Sequence, residues 1–305
     1  MKKILIAGGT GLIGTALLKE ATAQGYEVAL LSRKPGAGII TWDPAMKTID
    51  LDQPHSFDAI INLAGSNLSK GRWTESRKKE IVSSRINSVE TIREYLQKGL
   101  LQTNLYIGAS GIGYYRNSGK EAVDEYTLTT LPEDWLVQTV KNWEAAHQSI
   151  SAEGIRTIIV RFGIVLSKEG GALKEILNYA RLGVLAWFGH GQQSWSWIHI
   201  KDAARILLFA IEHDHVEGVV LAVSPNPVSN KILTKAISSQ LSPFRIMVPA
   251  PRFALQIMLG KMHSVVFDSC RAIPRRLLEY HFTFLFPDIR SAMQDLMKKE
   301  KSNNS

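Results

Sequence analysis

The segment Ala7–Gly14 has the sequence AGGTGLIG and follows the apolar run Ile4–Ile6 near the start of the chain. In this glycine pattern the first glycine permits a tight turn, the second lets a ligand approach the backbone, and the third lets helix and strand pack closely. The free N–H groups at the start of the following helix attract an anion such as a pyrophosphate. We therefore predict a dinucleotide site rather than an ordinary glycine turn. Its predicted members here are Gly8, Thr10, Gly11, Leu12, Ile13 and Gly14.

The residues after the second predicted strand, Glu27–Leu31, indicate which dinucleotide is bound. Proteins that bind NAD usually have an Asp or Glu there, which holds the ribose 2′-hydroxyl. This chain has Ser32, Arg33 and Lys34 instead, and a guanidinium matches the geometry of a phosphate. The sequence predicts NADP(H), bound with the help of Ser32 and Arg33. The alternative is that Arg33 is a solvated loop charge and the pocket takes either cofactor.

The elements that must position this site alternate between apolar strands and amphipathic helices. This order predicts an α/β fold, a Rossmann-type doubly wound parallel sheet with a smaller C-terminal substrate lobe. Leu63, Ala64 and Gly65 end a buried strand, so we expect them to meet the cofactor. The predicted helices cover about 12–23, 74–97, 133–152 and 203–211. The predicted divisions are 1–165 plus about 196–222 for the NADP-binding domain, about 166–195 plus 223–297 for the substrate lobe, and 298–305 for a disordered tail.

Composition limits the classes of partner. A chain of 305 residues with 45% hydrophobic content can bury a large core, and its net charge of +8 suits an anionic cofactor. We find no apolar window long enough for a membrane span, no signal peptide and no nucleic-acid module, so we expect neither membrane nor nucleic acid as a partner. The single cysteine, Cys270, excludes an internal disulfide and fits a reducing, cytoplasmic location. We interpret it as a packed apolar residue rather than a nucleophile.

Several further motifs are similar to the extended short-chain dehydrogenase/reductase superfamily. More narrowly, the chain resembles an atypical subgroup labelled as an epimerase family and, in older labels, as a cell-division inhibitor. The resemblance covers about residues 3 to 297 and implies a Rossmann domain, NADP(H) binding and a cytoplasmic protein. The segments that carry it, besides the glycine motif, are 42–44, 62–65, 71–74, 113–115, 142–144, 161–166, 195–202, 224–228 and 274–278. We assign Arg161, in one of these segments, to the cofactor site.

The chain departs from the superfamily pattern in its catalytic residues. These enzymes ordinarily use a Tyr four residues before a Lys, and this sequence contains no such pair. Counting back from Glu144, Leu136 and Val140 stand at the expected places. Ser110 ends a predicted strand where the superfamily keeps its active-site serine. We predict that Ser110, Tyr114 and Tyr115 are the catalytic residues, with Ser110 binding a carbonyl and one tyrosine supplying the acid.

The alternative is that Ser110 satisfies backbone groups at the strand end and that the tyrosines only wall the pocket. A glycine follows the two tyrosines in the family pattern, whereas Arg116 stands here. This difference affects the expected geometry of the loop.

Other residues have both a functional and a structural interpretation. Arg72, Trp73, Trp195 and Trp197 are predicted to contact the substrate, although ordinary packing explains the tryptophans equally well. Arg77, Lys78 and Arg85 could receive an acidic substrate, or form a solvated helix face. We expect Asp202 to cap a helix and His199 to be structural. The segment His213–His215 lacks an evident third ligand, so we expect no metal site.

Two functions are compatible with these residues. The first is an NADP(H)-dependent oxidoreductase or epimerase acting on a small carbonyl or sugar-like substrate. The second is a catalytically silent NADP(H)-binding regulatory protein that acts through a partner. By analogy, the two long helices over 74–97 and 133–152 could join two copies as a homodimer.

Overall fold

The first βαβ unit is built around the glycine motif. Strand β1 (Lys3–Ala7) has four fully buried residues, as expected of a strand in the middle of a parallel sheet. Gly8 turns the chain with φ +80°, and helix α1 (Leu12–Ala23) follows. A second turn at Gly25 leads into β2 (Glu27–Ser32), which pairs with β1 in parallel.

The structure is a computed structural model. It describes residues 1–69, 71–129, 134–241, 246–253, 256 and 267–298.

Eight strands form the main sheet in the described part of the chain. All strands are numbered in chain order, and the shorter ones are given below. The eight strands of the main sheet are β1, β2, β3 (Ile39–Asp43), β4 (Thr48–Ile49), β6 (Ala59–Asn62), β8 (Leu105–Gly111), β10 (Arg156–Phe162) and β15 (Gly218–Ala222). Their spatial order is β15-β10-β8-β6-β1-β2-β3-β4. All pairs are parallel except β3 with β4. The order changes direction at β1, which confirms the predicted doubly wound sheet.

Shorter strands form two-stranded pairs around this sheet. They are β5 (His55–Ser56) with β7 (Leu101–Gln102), β9 (Ala122–Val123) with β18 (Arg271–Ala272), β11 (Ile164–Leu166) with β14 (Trp197–His199), β12 (Val184–Phe188) with β17 (Ile246–Ala250), and β13 (Ser194–Trp195) with β16 (Val228–Ser229). Because β18 pairs with β9, a segment of the C-terminal region is joined to the segment that follows Tyr115.

The helices cover both faces of the sheet. α1 packs on α5 (Ile200–Glu212), whereas α2 (Glu75–Gln97) packs on α3 (Trp135–Gln148). The right-handed crossovers usual for parallel strands would place these two pairs on opposite faces. No helix of the described residues is long and apolar enough to cross a membrane. The remaining helices, in chain order, are α4 (Gly171–Ala180), α6 (Asn230–Ser238), α7 (Arg275–Glu279) and α8 (Ile289–Met297).

The start of α5 differs from the prediction that Asp202 caps it. The helix begins at Ile200, and its N-cap is His199, whose Nδ1 accepts a hydrogen bond from the Lys201 N–H at 3.1 Å. Asp202 lies inside the first turn and is fully buried. The prediction was wrong because Asp202 has other partners. It accepts hydrogen bonds from the backbone N–H groups of Leu285 and Phe286, both at 2.9 Å, and so holds a distant segment against α5.

Buried apolar residues form two main clusters. The larger one lies between the main sheet and its helices, and the smaller one joins α4, α6 and α8 through residues such as Leu173, Leu233 and Met293. The predicted division into two lobes stays a prediction. Most of the predicted disordered tail, residues 299–305, lies outside the described residues.

Side chains cover the outer edge of β15. The Leu221 N–H donates to Glu125 Oε1 at 2.9 Å, where the N–H of an edge strand would otherwise face solvent. Arg276 Nη1 donates to the carbonyl oxygens of Glu217 at 2.8 Å and Val219 at 3.2 Å. Two charged side chains thus bond to backbone groups that a neighbouring strand would otherwise pair with.

Candidate functional site

The glycine loop leaves space at the start of α1. A Cβ on Gly8 would lie 2.8 Å from the Leu63 carbonyl carbon, and one on Gly14 would lie 2.3 Å from Gly8 O, so neither position tolerates a side chain. A Cβ on Gly11 would come near only Gly8 O, at 3.2 Å. Gly11 is the N-cap of α1, and no side chain of the described residues caps this end. The free backbone N–H groups and the open space beside Gly11 fit the pyrophosphate of a dinucleotide.

The loop after β6 adjoins this space, the glycine cradle formed by residues 8–14. The Leu63 N–H donates to Ala7 O at 2.9 Å, and the Ala64 N–H donates to Asn62 Oδ1 at 3.0 Å. These bonds hold the predicted residues Leu63, Ala64 and Gly65 beside the glycine loop, where Gly8 approaches them closely. Among the other predicted members, Thr10 is exposed, Ile13 is half-buried and Leu12 packs beside Gly170 and Gly171.

The end of β2 presents Arg33 to solvent. Ser32 is half-buried, and its Oγ accepts a hydrogen bond from the Lys34 N–H at 3.2 Å. Arg33 is exposed and forms no ion pair with any residue that the structure describes. Its guanidinium is therefore available to a phosphate at this edge of the cradle.

A buried cluster lies at the carboxyl ends of β8 and β10. Ser110 Oγ donates to Glu144 Oε1 at 2.6 Å. Arg161 donates from Nε and Nη2 to the two carboxylate oxygens of Glu144, both at 2.7 Å. Arg161 Nη1 also donates to the Tyr115 hydroxyl at 2.7 Å, and that hydroxyl donates to Asp124 O at 2.7 Å. Three sequence-predicted residues thus meet around Glu144, whose role the sequence had not suggested.

The charges of this cluster stabilise one another. Burial alone would lower the pKa of the Arg161 guanidinium, but its hydrogen bonds to Glu144 and the attraction of that carboxylate outweigh burial and raise it. Burial raises the pKa of the Tyr115 phenol far above its ordinary value, although Arg161 opposes this effect. Tyr115 is 2% exposed and therefore poorly placed to give a proton to a ligand.

Tyr114 differs from Tyr115 in its surroundings. Its ring lies under the Arg161 guanidinium, 3.6 Å from the ring centroid to Cζ, and meets the Tyr115 ring edge-on at 5.1 Å. Its side chain is half-buried, and its hydroxyl forms no hydrogen bond with any described residue. Of the two predicted tyrosines, Tyr114 is the one whose hydroxyl is not already engaged.

A second buried network connects the loop after β6 with the end of β8. Asn62 Nδ2 donates to the Tyr106 hydroxyl at 3.0 Å, and that hydroxyl lies 2.8 Å from His147 Nδ1. His147 Nε2 lies 3.0 Å from Ala109 O. A neutral His147 with its proton on Nε2 satisfies both contacts, since Nδ1 then accepts from Tyr106. Burial accordingly lowers the pKa of His147 to about 3.

Leu136 and Val140 are the residues at which the sequence resemblance led us to expect a Tyr and a Lys. Leu136 and Val140 are buried on α3, and both approach Gly113, where a Cβ would lie 3.4 and 3.6 Å from their side chains. Arg116, where the sequence resemblance led us to expect a glycine, has φ +48°, the left-handed region that favours glycine. Its guanidinium pairs with Asp134 Oδ2 at 2.7 Å and Asp268 Oδ2 at 2.5 Å.

The predicted substrate residues are more dispersed. Arg72 is exposed, and Trp73 is buried against Trp135 with its Nε1–H donating to Leu68 O at 2.9 Å. Trp195 and Trp197 belong to the smaller core cluster. Trp197 is fully buried, so packing describes it better than contact with a substrate.

With this geometry established, the fold and the glycine cradle define a class of protein. The chain belongs to the NAD dependent epimerase/dehydratase family, whose model matches residues 4–222. Residues 250–296 match a domain of unknown function (DUF1731). The resemblance drawn from the sequence motifs is confirmed.

Within this class the chain is similar to proteins named as epimerase family proteins. It is 33% identical to Epimerase family protein SDR39U1 of Homo sapiens over 298 residues, 97% of this chain and 99% of the relative. It is 34% identical to Epimerase family protein YfhF of Bacillus subtilis over 305 residues, 98% of this chain and 99% of the relative. The crystal structure of human SDR39U1 with NADPH superposes with a TM-score of 0.89 at 34% identity, covering 97% of this chain and 99% of that one.

Proposed function

We propose that this protein is an NADP(H)-dependent oxidoreductase or epimerase that acts on a small carbonyl or sugar-like substrate. The observation that carries the proposal is the Tyr114 hydroxyl, which has no partner among the described residues and lies one short turn beyond Ser110. Bound NADP(H) would supply or accept the hydride. The chain must then move a proton, and Tyr114 is the group available for it.

The cofactor assignment rests on the cradle and on Arg33. The open position beside Gly11 and the uncapped start of α1 would receive the pyrophosphate. Arg33 would contact the 2′-phosphate that distinguishes NADP(H) from NAD(H). The NADPH in the structure of human SDR39U1 supports this assignment.

Ser110 and Glu144 would orient the substrate. The single hydroxyl proton of Ser110 lies between its Oγ and Glu144 Oε1, because a carboxylate held by Arg161 can only accept. Toward a ligand, Ser110 therefore offers lone pairs. In this arrangement it accepts a hydrogen bond from a substrate hydroxyl, instead of donating one to a carbonyl as the sequence suggested.

The second candidate is a silent NADP(H)-binding protein that regulates a partner. Leu136 and Val140 at the usual Tyr and Lys positions, and the closed cluster around Glu144, favour this alternative. It predicts cofactor binding without turnover, and a partner that is recovered only when cofactor is present.

Calorimetric titration with NADPH and NADH tests the cofactor assignment. Wild type should bind NADPH more tightly than NADH, and Arg33→Ala should lose most of this difference. Arg290→Ala, which removes an exposed arginine on α8, serves as the matched control and should retain it. Equal binding of both cofactors to wild type would refute the NADP(H) assignment. A panel of carbonyl and sugar substrates, followed at the nicotinamide absorbance, then separates the enzyme from the silent protein.

A further inference from the structure

Arg72, just before α2, and three basic residues within α2 differ in whether a carboxylate neutralises their charge. The three are Arg77, Lys78 and Arg85. Arg77 Nη1 pairs with Glu80 at 2.6 Å, and Lys78 pairs with Glu75 at 3.1 Å. Arg72 is exposed to solvent. Arg85 is 7% exposed, yet it forms no ion pair with a carboxylate of the described residues.

The hydrogen bonds of Arg85 leave part of its guanidinium without a partner. Nη1 donates to the carbonyl oxygens of Ser66 and Ile81, both at 3.0 Å. The guanidinium lies over the Trp143 ring at 4.8 Å. Its Nε–H and the two N–H groups on Nη2 form no hydrogen bond with any residue that the structure describes. Three of five donors therefore remain for a ligand or for water.

A buried cation without a counter-ion costs folding free energy, so its presence calls for an explanation. Burial, and then the charge of Arg77, lower the pKa of Arg85 to about 10. The group still carries its charge at neutral pH. A methionine would fill similar space beside Trp143 without this cost.

The position of Arg85 places this charge beside the proposed active site. A Cβ on Gly65 would lie 3.2 Å from Arg85 Cγ and 3.3 Å from Cζ, so the guanidinium runs along the loop of the cofactor cradle. Trp143, beneath it, precedes Glu144 on α3. Glu144 neutralises Arg161, whereas the charge of Arg85 has no carboxylate partner among the described residues.

Trp143 supplies a second observation. Its indole Nε1–H is buried and has no hydrogen-bond acceptor in the described part of the chain. A buried N–H without an acceptor is costly, as is an unpaired buried cation. Both groups are donors, and the Arg85 guanidinium lies over the face of the Trp143 ring. An anion is the kind of ligand that satisfies donors and positive charge together.

We propose that Arg85 forms an anion site between the ends of β6 and β8, which binds a carboxylate or phosphate group of the substrate. The proposal rests on the proposed function and narrows its substrate to compounds that carry a negative charge. A carboxylate is planar and a phosphate is tetrahedral, but both are anions whose oxygens accept hydrogen bonds from a guanidinium.

Titration of the NADPH-saturated protein with inorganic phosphate tests this site, because the bound cofactor then occupies the glycine cradle. Wild type should bind phosphate, and Arg85→Met should bind it about ten- to a hundred-fold more weakly, as expected for loss of charge-assisted hydrogen bonds. The affinity for NADPH should change less than about two-fold. Arg93→Met, which removes a cation on the same helix that pairs with Glu153 at 3.2 Å, should leave phosphate binding unchanged.

The midpoint temperature of thermal unfolding shows whether Arg85 serves to bind a ligand or to stabilise the fold. If Arg85 exists to bind an anion, Arg85→Met should unfold at the same or a higher temperature than wild type. A lower midpoint with unchanged phosphate affinity would overturn the proposal. A more than ten-fold loss of NADPH affinity would also overturn it, since the anion would then belong to the cofactor.

Arg85→Lys covers the case in which the methionine variant does not fold. It keeps the charge but loses the planar donors, so phosphate affinity should fall to a value between those of wild type and a variant without charge. Unchanged phosphate affinity in Arg85→Lys and in Arg85→Gln would overturn the site. Absence of NADPH binding to wild type would instead refute the proposed function, so the two failures are distinguishable.

Discussion

Ser110 donates its hydroxyl proton to Glu144 across 2.6 Å, and Arg161 fixes both oxygens of the same carboxylate. The orientation of the serine is therefore set by a residue on α3 that lies 34 positions away in the chain. A serine whose proton is committed in this way can accept from a ligand but not donate to it. Under the proposed function, the cluster would therefore favour the hydroxyl form of a substrate over its carbonyl form at this contact.

The two adjacent tyrosines should respond differently to loss of the hydroxyl. Tyr114→Phe should lower turnover about 10²- to 10⁴-fold, as expected for loss of a general acid. Its unfolding free energy should change little, because the hydroxyl has no partner among the described residues. Tyr115→Phe should instead lose about 1–3 kcal/mol of stability, because Arg161 and Asp124 O lose a buried partner. Urea denaturation and steady-state kinetics of both variants measure these effects. A larger loss of turnover in Tyr115→Phe would reverse the assignment.

Glu144→Gln should destabilise the protein by about 3–5 kcal/mol, because it leaves the buried Arg161 guanidinium without an anion. The measurement is the free energy of unfolding in urea. The double variant Glu144→Gln with Arg161→Met removes the unpaired charge and should recover part of the loss. A single variant within 1 kcal/mol of wild type would show that the ion pair contributes little.

Stability should decrease as the pH falls from about 6.5 towards 3. His147 is neutral in the fold with a pKa of about 3, whereas an unfolded histidine takes up a proton near 6.5. Between these values only the unfolded chain binds the proton, so acid favours unfolding. The urea midpoint of wild type should therefore decline over this range, and His147→Gln should decline less. His199, whose pKa burial lowers to about 4, acts in the same direction and remains in that variant.

A control variant tests whether the pH effect comes from burial of the histidine or simply from the number of histidines. His215→Gln replaces an exposed histidine and should keep the wild-type pH dependence. If its decline matches that of His147→Gln, the explanation from burial is wrong.

Two copies of the chain should associate through α2 and α3, as proposed from the analogy above. The outer face of these helices carries a groove of about 470 Å³ that is lined by Lys79, Val82, Ile86 and Trp135 among others. Ile86→Glu places a charge in this apolar contact and should shift the protein to monomer in sedimentation equilibrium. Ile232→Glu changes a half-exposed apolar residue on α6 and should leave the assembly intact. A monomeric wild type would contradict the proposal.

Local patterns were sufficient to predict the elements that position the site. The glycine turn at Gly8, the apolar strands and the start of α2 depend on neighbours within a few residues, and the structure has them near the expected places. Helix α3 ends at Gln148 rather than at 152, because residues 151–153 form a separate 3-10 turn.

The hydrogen-bonding partners of the site could not be predicted in this way. Ser110, Glu144 and Arg161 come from three separate elements, so their contact depends on the tertiary fold. One signal was available on α3, where Glu144 and His147 share the buried face with Val140 and Trp143. Polar residues at the apolar positions of an amphipathic helix indicate buried hydrogen bonds. Arg116 shows a different limit of prediction from sequence. Its positive φ could not be predicted from the residue type, because residues other than glycine rarely adopt this conformation.

The charged side chains over β15 also affect whether another strand can pair with this edge of the sheet. An open strand edge accepts a strand from any extended peptide, including another copy of the same sheet. Glu125 and Arg276 occupy the bonding positions on Leu221, Glu217 and Val219, so strand addition there must first break these bonds. The side chains on this edge therefore oppose growth of the sheet by pairing with further strands, which is one route to aggregation.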